Sequence, residues 1–417
     1  MARAKLYQDS TIPRDSSTNR KHICMVSYSF YETDNRVLRY AEALSGRGDI
    51  VEVFALRRNT ESPKEEIIEG VRVFRIQDRF SKEIESKWGF LWPLLQFLVV
   101  ASIRMASRAR RQRYDLIHVH NIPDFLVFAA WYPKLTGSKV ILDIHDIVPE
   151  FFESKFSVSD RSLLVRALRL VEKISAAFAD HVILSNHLWL DRYTSRSARA
   201  DKCSVFINNV DERIFYFRQR KYAHTKPIVI FPGGLHRHQG LDIAVRAIAM
   251  LQSRLPEIEF HIYGDGNIKS ELVSLVQQLN LTGTVRFFDP ISIREIADVM
   301  AEADLAVVPK RADSFGNEAY STKIMEFMSL GVPVVVSSTR IDRLYFNDSV
   351  VKFFESGSPD ALADAIYQVL SDSKYRHDLV LHATEYVALN GWSKCKDKYF
   401  SLVDSLCRRD HIVNNSL

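Results

Sequence analysis

The feature that most constrains this chain is an alternation of short apolar runs with helical periodicity, which occurs twice. The runs "HICMVSY" (22–28), "DIVEVFAL" (49–56), "DLIHVH" (115–120), "KVILDIH" (139–145) and "HVILSN" (181–186) are too short for helices. Segments of helical spacing separate them, notably "DNRVLRYAEALSGRG" (34–48) and "RSLLVRALRLVEKISAAFA" (161–179). Near-continuous apolar strands alternating with helices predict an α/β domain with a parallel sheet covered on both faces. After a charged stretch, "FRQRKYAHTKP" (217–227), the pattern restarts with strands at 228–233, 259–266, 284–288 and 304–309 and helices at 241–255, 268–279 and 293–303. Two βαβ domains are therefore expected, over 21–213 and 227–390, with a linker at 214–226. Ligands of such sheets sit beyond the carboxyl ends of the strands, so two facing domains predict a cleft.

Composition narrows the function. The net charge of +5 comes from basic residues spread among acidic ones, which is no nucleic-acid signature. The four cysteines, Cys24, Cys203, Cys395 and Cys407, are far apart and have neither zinc nor disulfide spacing. Reduced thiols and a cytoplasmic location are expected. Residues 1–20 are polar, lack the apolar core of a signal peptide and read as a disordered tail. No apolar run reaches the roughly 20 residues of a spanning helix.

The stretch "EAYSTKIMEFMSLGVPVVVSS" (318–338) carries the chemistry. A helix is expected to begin near Ser321 or Thr322, both good caps. Its first turn offers free backbone amides and a partial positive charge, which suit a phosphate, and Lys323 adds a cation. Glu318 precedes this anion site and Glu326 follows one turn later, so each carboxylate needs a hydroxyl-bearing partner. A diphosphate flanked by a sugar and a ribose, a nucleotide sugar, satisfies that arrangement.

The Glu-x7-Glu spacing followed by Gly331-Val332-Pro333 resembles family 4 retaining glycosyltransferases, which have the GT-B fold. So do "IHVHN" (117–121), "LDIHD" (142–146), "INNVDERIF" (207–215), "GGLHRHQGLD" (233–242), "YGDG" (263–266) and "GWSK" (391–394). The resemblance implies two Rossmann-like domains, with a C-terminal helix (391–417) returning to the first. It implies that Glu318 contacts the donor sugar, that Glu326 holds the ribose and that amides near Tyr320, Ser321 and Thr322 hold the distal phosphate. Gly234, Gly264 and Gly266 would form the donor loops. His145 would face the reacting sugar, with His118, His120 and Asp146 on the acceptor side. Many members carry an Arg and a Lys in the Gly-rich loop, where this chain has Gly234 and Gln239. Lys323, Arg237 and Arg311 are the candidates for that missing charge. The resemblance also implies transfer from a UDP- or GDP-sugar with neither metal nor cofactor.

Segment 88–113, "WGFLWPLLQFLVVASIRMASRARRQR", fits either an interfacial element on an anionic membrane or a core helix. The membrane reading implies a polyprenyl-diphosphate-linked acceptor and a location on the inner face of the plasma membrane. A dehydrogenase is excluded, because "SYSFYET" (27–33) has no glycine where a dinucleotide-binding loop needs three. A non-hydrolysing sugar-nucleotide epimerase and a non-catalytic scaffold of a synthase complex remain alternatives.

Overall fold

The computed structural model describes residues 20–79, 87–156, 159, 161–218 and 226–408. The expected tail, the middle of the linker and residues 409–417 of the expected C-terminal segment lie outside them. Eight strands form the first sheet: β1 (His22–Ser27), β2 (Ile50–Arg57), β3 (Glu65–Ile68), β4 (Val71–Asp78), β5 (Leu116–His120), β6 (Lys139–Ile144), β7 (His181–Leu184) and β8 (Cys203–Val205). Their spatial order is β3-β4-β2-β1-β5-β6-β7-β8, parallel except for the β3–β4 pair. The sequence pattern misses that hairpin because β3 is an exposed edge with two glutamates and no apolar face. All six residues of the central β1 are buried, as a strand covered on both faces must be.

One face of this sheet packs against helices Lys87–Arg111 and Leu163–Phe178. The other packs against helix Asn35–Arg47 and the last helix, Trp392–Cys407, which seats Trp392, Tyr399 and Val403 in the first domain's core. Segment 88–113 is accordingly a core helix on one side, through Phe97, Ala101, Met105 and Ala109. Its opposite side leaves Trp92, Leu95, Val99 and Ile103 exposed. The core-helix reading therefore holds for the inner side of this helix. Among the described residues, no helix is long and apolar enough to cross a membrane.

The second sheet is wholly parallel: β9 (Ile228–Pro232), β10 (Glu259–Tyr263), β11 (Val285–Phe288), β12 (Leu305–Val308), β13 (Val334–Ser337) and β14 (Lys352–Phe354), in the order β11-β10-β9-β12-β13-β14. Two polypeptide crossings join the domains, near 206–212 and 390–393. They are stitched together where Asn209 Nδ2 donates to the Asn390 carbonyl (2.6 Å), the Trp392 amide donates to the Val210 carbonyl (3.0 Å) and Ser393 Oγ donates to Glu212 (2.7 Å).

Candidate active site

Helix Thr322–Leu330 starts at Ser321, whose side chain makes no capping bond, so the first-turn amides are left for a ligand. It ends at Gly331 in the left-handed region (φ 75°), which only glycine adopts at little cost. Lys323, one residue into the helix, lies over the turn after β9. A Cβ on Gly233 would stand 2.6 Å from Lys323 Cε. Lys323 Nζ meets the neutral Gln239 Oε1 at 3.4 Å, and no carboxylate among the described residues lies within ion-pair distance. Burial lowers its pKa to about 8 despite the pull of Glu326. An ammonium so placed is ready for an anion.

The loops after β9 and β10 are interlocked through glycine. Gly264 has φ 149°, and a Cβ there would fall 1.9 Å from the Gly233 carbonyl oxygen. A Cβ on Gly266 would fall 2.2 Å from the Leu235 carbonyl oxygen. Gly264→Ala is therefore expected to cost about 1–3 kcal/mol in backbone strain alone. It should also displace the turn under Lys323, so that nucleoside diphosphate affinity falls together with the thermal midpoint. A variant with wild-type affinity would show that this interlock does not shape the donor site.

A cavity of about 710 Å³ separates the domains, with Thr322 and Glu326 on one wall and His145, Arg36, Arg39 and Asp34 on the other. Burial holds the Glu326 carboxyl above its ordinary range, against the opposing charge of Lys323. Glu326 and His145, expected on the ribose and sugar sides, thus meet in one space. Glu318 is buried rather than at a free loop end, and its carboxylate is paired across the domain interface with Arg192 (2.6 Å). Its carbonyl accepts from Asn186 Nδ2 (3.0 Å), while the neighbouring Ser185 Oγ donates to the His145 carbonyl (2.9 Å). Two adjacent residues after β7 therefore hold the positions of both candidates.

Behind His145 lies a buried charge network that sequence reasoning missed. Arg36 pairs with both oxygens of Asp143 (2.7 and 2.8 Å) and also donates to the Phe206 carbonyl (2.8 Å) and Asn208 Oδ1 (3.0 Å). Arg39 donates to the Asn209 carbonyl and to Asn208 Oδ1, with its Nε left unpartnered. Asp143 Oδ2 also lies 3.1 Å from His120 Nδ1 and 3.3 Å from His145 Nε2. Burial raises and Arg36 lowers the Asp143 pKa, and the net result is well below the usual carboxylate range. His145 Nε2 also lies 3.1 Å from His120 Nδ1, so the two rings crowd one oxygen of Asp143. The sequence signal was available: a lone Asp inside the apolar run of β6 needs a partner.

Several expectations need correction. His118 and His120 do not face an acceptor: both are fully buried and stacked at 4.2 Å, and His118 Nδ1 bonds Tyr399 of the last helix (2.8 Å). Burial lowers both pKa values, that of His120 to about 3, so both stay neutral. Strand alternation placed them on one face as expected, but helix Trp392–Cys407 covers that face. His118, His120 and Asp143 bring ligand-type atoms within 4.8 Å of one another, yet Arg36 already supplies the cation there. Arg311 is paired with Asp242 (2.5 Å) and shares a separate groove with Arg237, away from the cavity between the domains. Of the three candidate cations, only Lys323 stands in the first turn of helix Thr322–Leu330. Asp146 is partly buried, its pKa raised to about 6 by burial, and does not line the cavity. For Tyr320 only the backbone amide was expected at the turn, and its ring packs inward on Tyr345 and Phe346.

The sequence matches two family models that divide the chain at this interface. Residues 33–209 match a glycosyl transferase 4-like domain, and residues 212–386 match glycosyl transferases group 1. D-inositol 3-phosphate glycosyltransferase from Arthrobacter sp. (strain FB24) is 24% identical over 384 residues, covering 87% of this chain and 88% of the relative. O-antigen biosynthesis glycosyltransferase WclY from Escherichia coli is 27% identical over 264 residues, covering 61% of this chain and 69% of the relative. Among solved structures, sucrose-phosphate synthase from Thermosynechococcus elongatus superposes with a TM-score of 0.74 at 21% identity, covering 93% of this chain and 99% of that one. Anabaena HepE, solved with UDP and glucose, gives 0.69 at 17% identity, covering 93% and 100%. At these identities the solved structures establish a common fold. Two domain matches in the expected order, on a fold with facing parallel sheets, identify the chain as a glycosyltransferase of the GT-B fold and family 4 type.

Proposed function

We propose that this protein transfers a sugar, with retention of anomeric configuration, from a UDP- or GDP-sugar to a hydroxyl of a glycan or polyprenyl-diphosphate-linked acceptor in polysaccharide biosynthesis. Its place would be the cytoplasmic face of the plasma membrane. The observation that carries this reading is Lys323, an ammonium without a carboxylate partner at a free helix N-terminus, one turn before Glu326 in the cavity wall. As the bond from the anomeric carbon to the phosphate oxygen breaks, negative charge grows on the diphosphate. Helix amides and Lys323 stabilise that charge in the role a divalent cation otherwise fills. The acceptor oxygen bonds the same face of that carbon and passes its proton to the departing phosphate oxygen. His145 and Glu318 would flank the donor sugar from the two domains, and Glu326 would hold the ribose.

Calorimetry with UDP and GDP, followed by assay of nucleotide release from their sugars, tests this. Binding of one nucleotide, release only with an acceptor, insensitivity to EDTA and an unchanged anomeric configuration by NMR are expected. Epimerised nucleotide sugar formed without acceptor would make the protein an epimerase. No nucleotide binding would make it a scaffold.

A further inference from the structure

Three helical elements lie side by side on the outer face of the first sheet: helix Lys87–Arg111, the segment Asp124–Leu135 and helix Leu163–Phe178. Their inner faces share one core, through Phe97 and Met105, Leu126 and Ala130, and Ala176. Phe128 meets Phe178 at 5.2 Å, and Arg110 lies over the Tyr132 ring at 5.2 Å, so the three elements form one layer.

Each element carries large apolar side chains on its outer side. Trp92, Leu95, Val99 and Ile103 line the first helix at helical spacing and are 38–66% exposed. Trp131 and Leu135 follow on the middle segment, Leu135 at 79%. Leu163, Leu170 and Ile174 form the third stripe, at 80%, 58% and 49%. Solvated surfaces seldom align so many large apolar side chains.

The charge on this layer has one sign. Helix Lys87–Arg111 contains no acidic residue, and the other two elements contain only Asp124 and Glu172, both buried. Glu172 is also paired with Arg196. The basic residues Arg104, Arg110, Arg111, Arg166 and Lys173 are exposed. Arg108, Lys134 and Arg169 are excluded from the set, because they pair with Glu52 and with the flanking carboxylates Asp180 and Glu153. An apolar face whose exposed charges are cations, with the flanking carboxylates Asp180 and Glu153 paired, complements an anionic lipid surface, where apolar side chains enter the acyl boundary and arginines meet headgroups.

We propose that this three-helix layer docks the protein on an anionic bilayer. The cavity between the domains opens beside it: Pro93 and Leu94 line the cavity, while their neighbours Trp92 and Leu95 are exposed on the same helix. A lipid-linked acceptor held in the bilayer would enter at that rim. The assignment of an acceptor rests on the transferase reading, but docking itself needs no donor and is measured without one.

Sedimentation with phosphatidylcholine vesicles, with and without phosphatidylglycerol, tests the proposal. Wild type should partition onto the anionic vesicles, release partly in high salt and keep a salt-resistant fraction. Leu170→Glu with Ile174→Glu, and separately Trp92→Glu with Val99→Glu, should each lower partitioning by at least about tenfold, since each pair removes two apolar side chains that would enter the acyl boundary. Arg104→Gln with Arg111→Gln should lower only the salt-sensitive part. All these positions are exposed, so thermal midpoints and UDP or GDP binding should match wild type. Three results would overturn the docking layer: wild type that ignores anionic vesicles at every salt concentration, helix Leu163–Phe178 variants that bind as wild type, or a dimer in solution that the same substitutions dissociate. Vesicle binding without any nucleotide binding would instead overturn the transferase reading and leave the docking layer standing.

Discussion

Asp143→Asn is expected to destabilise the protein by about 3–5 kcal/mol, the usual consequence of leaving one partner of a buried ion pair uncompensated. Arg36 and Asp143 have side-chain exposures of 2% and 0%, so water cannot replace the lost charge. The same cation ties helix Asn35–Arg47 to the Phe206 carbonyl and to Asn208, so the first crossing between the domains should loosen as well. The cost should shrink sharply in an Arg36→Met background, because the pair acts as a unit. The dependence on pH has a definite sign. Asp143 is held below its unfolded value, so its contribution is complete above about pH 4 and is lost as pH falls toward the folded pKa. The gap between wild type and variant in urea denaturation should therefore stay constant from mild acid to neutrality and close only in strong acid. A variant as stable as wild type at pH 7 would show that the Arg36–Asp143 pair does not hold this interface.

What was legible in the sequence was whatever has a period or a fixed spacing. Strands β1, β2, β5, β6 and β7 and most of the second sheet declare themselves, because burial on both faces forces unbroken apolar runs. β3, β8 and β14 do not, because short edge strands need no such run, and β4 does not, because Arg72, Arg75 and Gln77 break up its apolar residues. The helix at Thr322 was legible from its cap residue, and the glycine turns were legible because close backbone approach admits no other residue. Pairings between distant positions were not. Nothing local marks Arg311 as the partner of Asp242, or Glu318 as the partner of Arg192, and these pairings decide which charges remain free. The two histidines of β5 show the same limit. Their alternation was read correctly, but whether that face meets solvent or a helix from the other end of the chain depends on tertiary packing.

Lys323→Ala should weaken UDP or GDP binding by about 1.5–3 kcal/mol, roughly tenfold to a hundredfold, while leaving the binding of the free nucleoside nearly unchanged. The reasoning starts from what surrounds the ammonium. Its neighbours are the Gln239 oxygen at 3.4 Å and the Phe231 ring at 5.1 Å, neither of which neutralises it. Arg311, by contrast, is already paired with Asp242. Because burial has already lowered its pKa to about 8, the residue also predicts a pH dependence. A diphosphate beside Lys323 favours the protonated form and raises its pKa in the complex. Affinity should therefore be highest below about pH 7, where Lys323 of the free protein is protonated, and be about halved by pH 8. It should fall further as pH rises above 8, until the higher pKa of the complex is reached. The alanine variant should show weak binding with no such decline. Calorimetric titrations of both proteins with the diphosphate and the nucleoside, across that range, separate the outcomes. Equal losses for the two ligands would make Lys323 a structural residue, and a decline that persists in the alanine variant would assign the titration to another group.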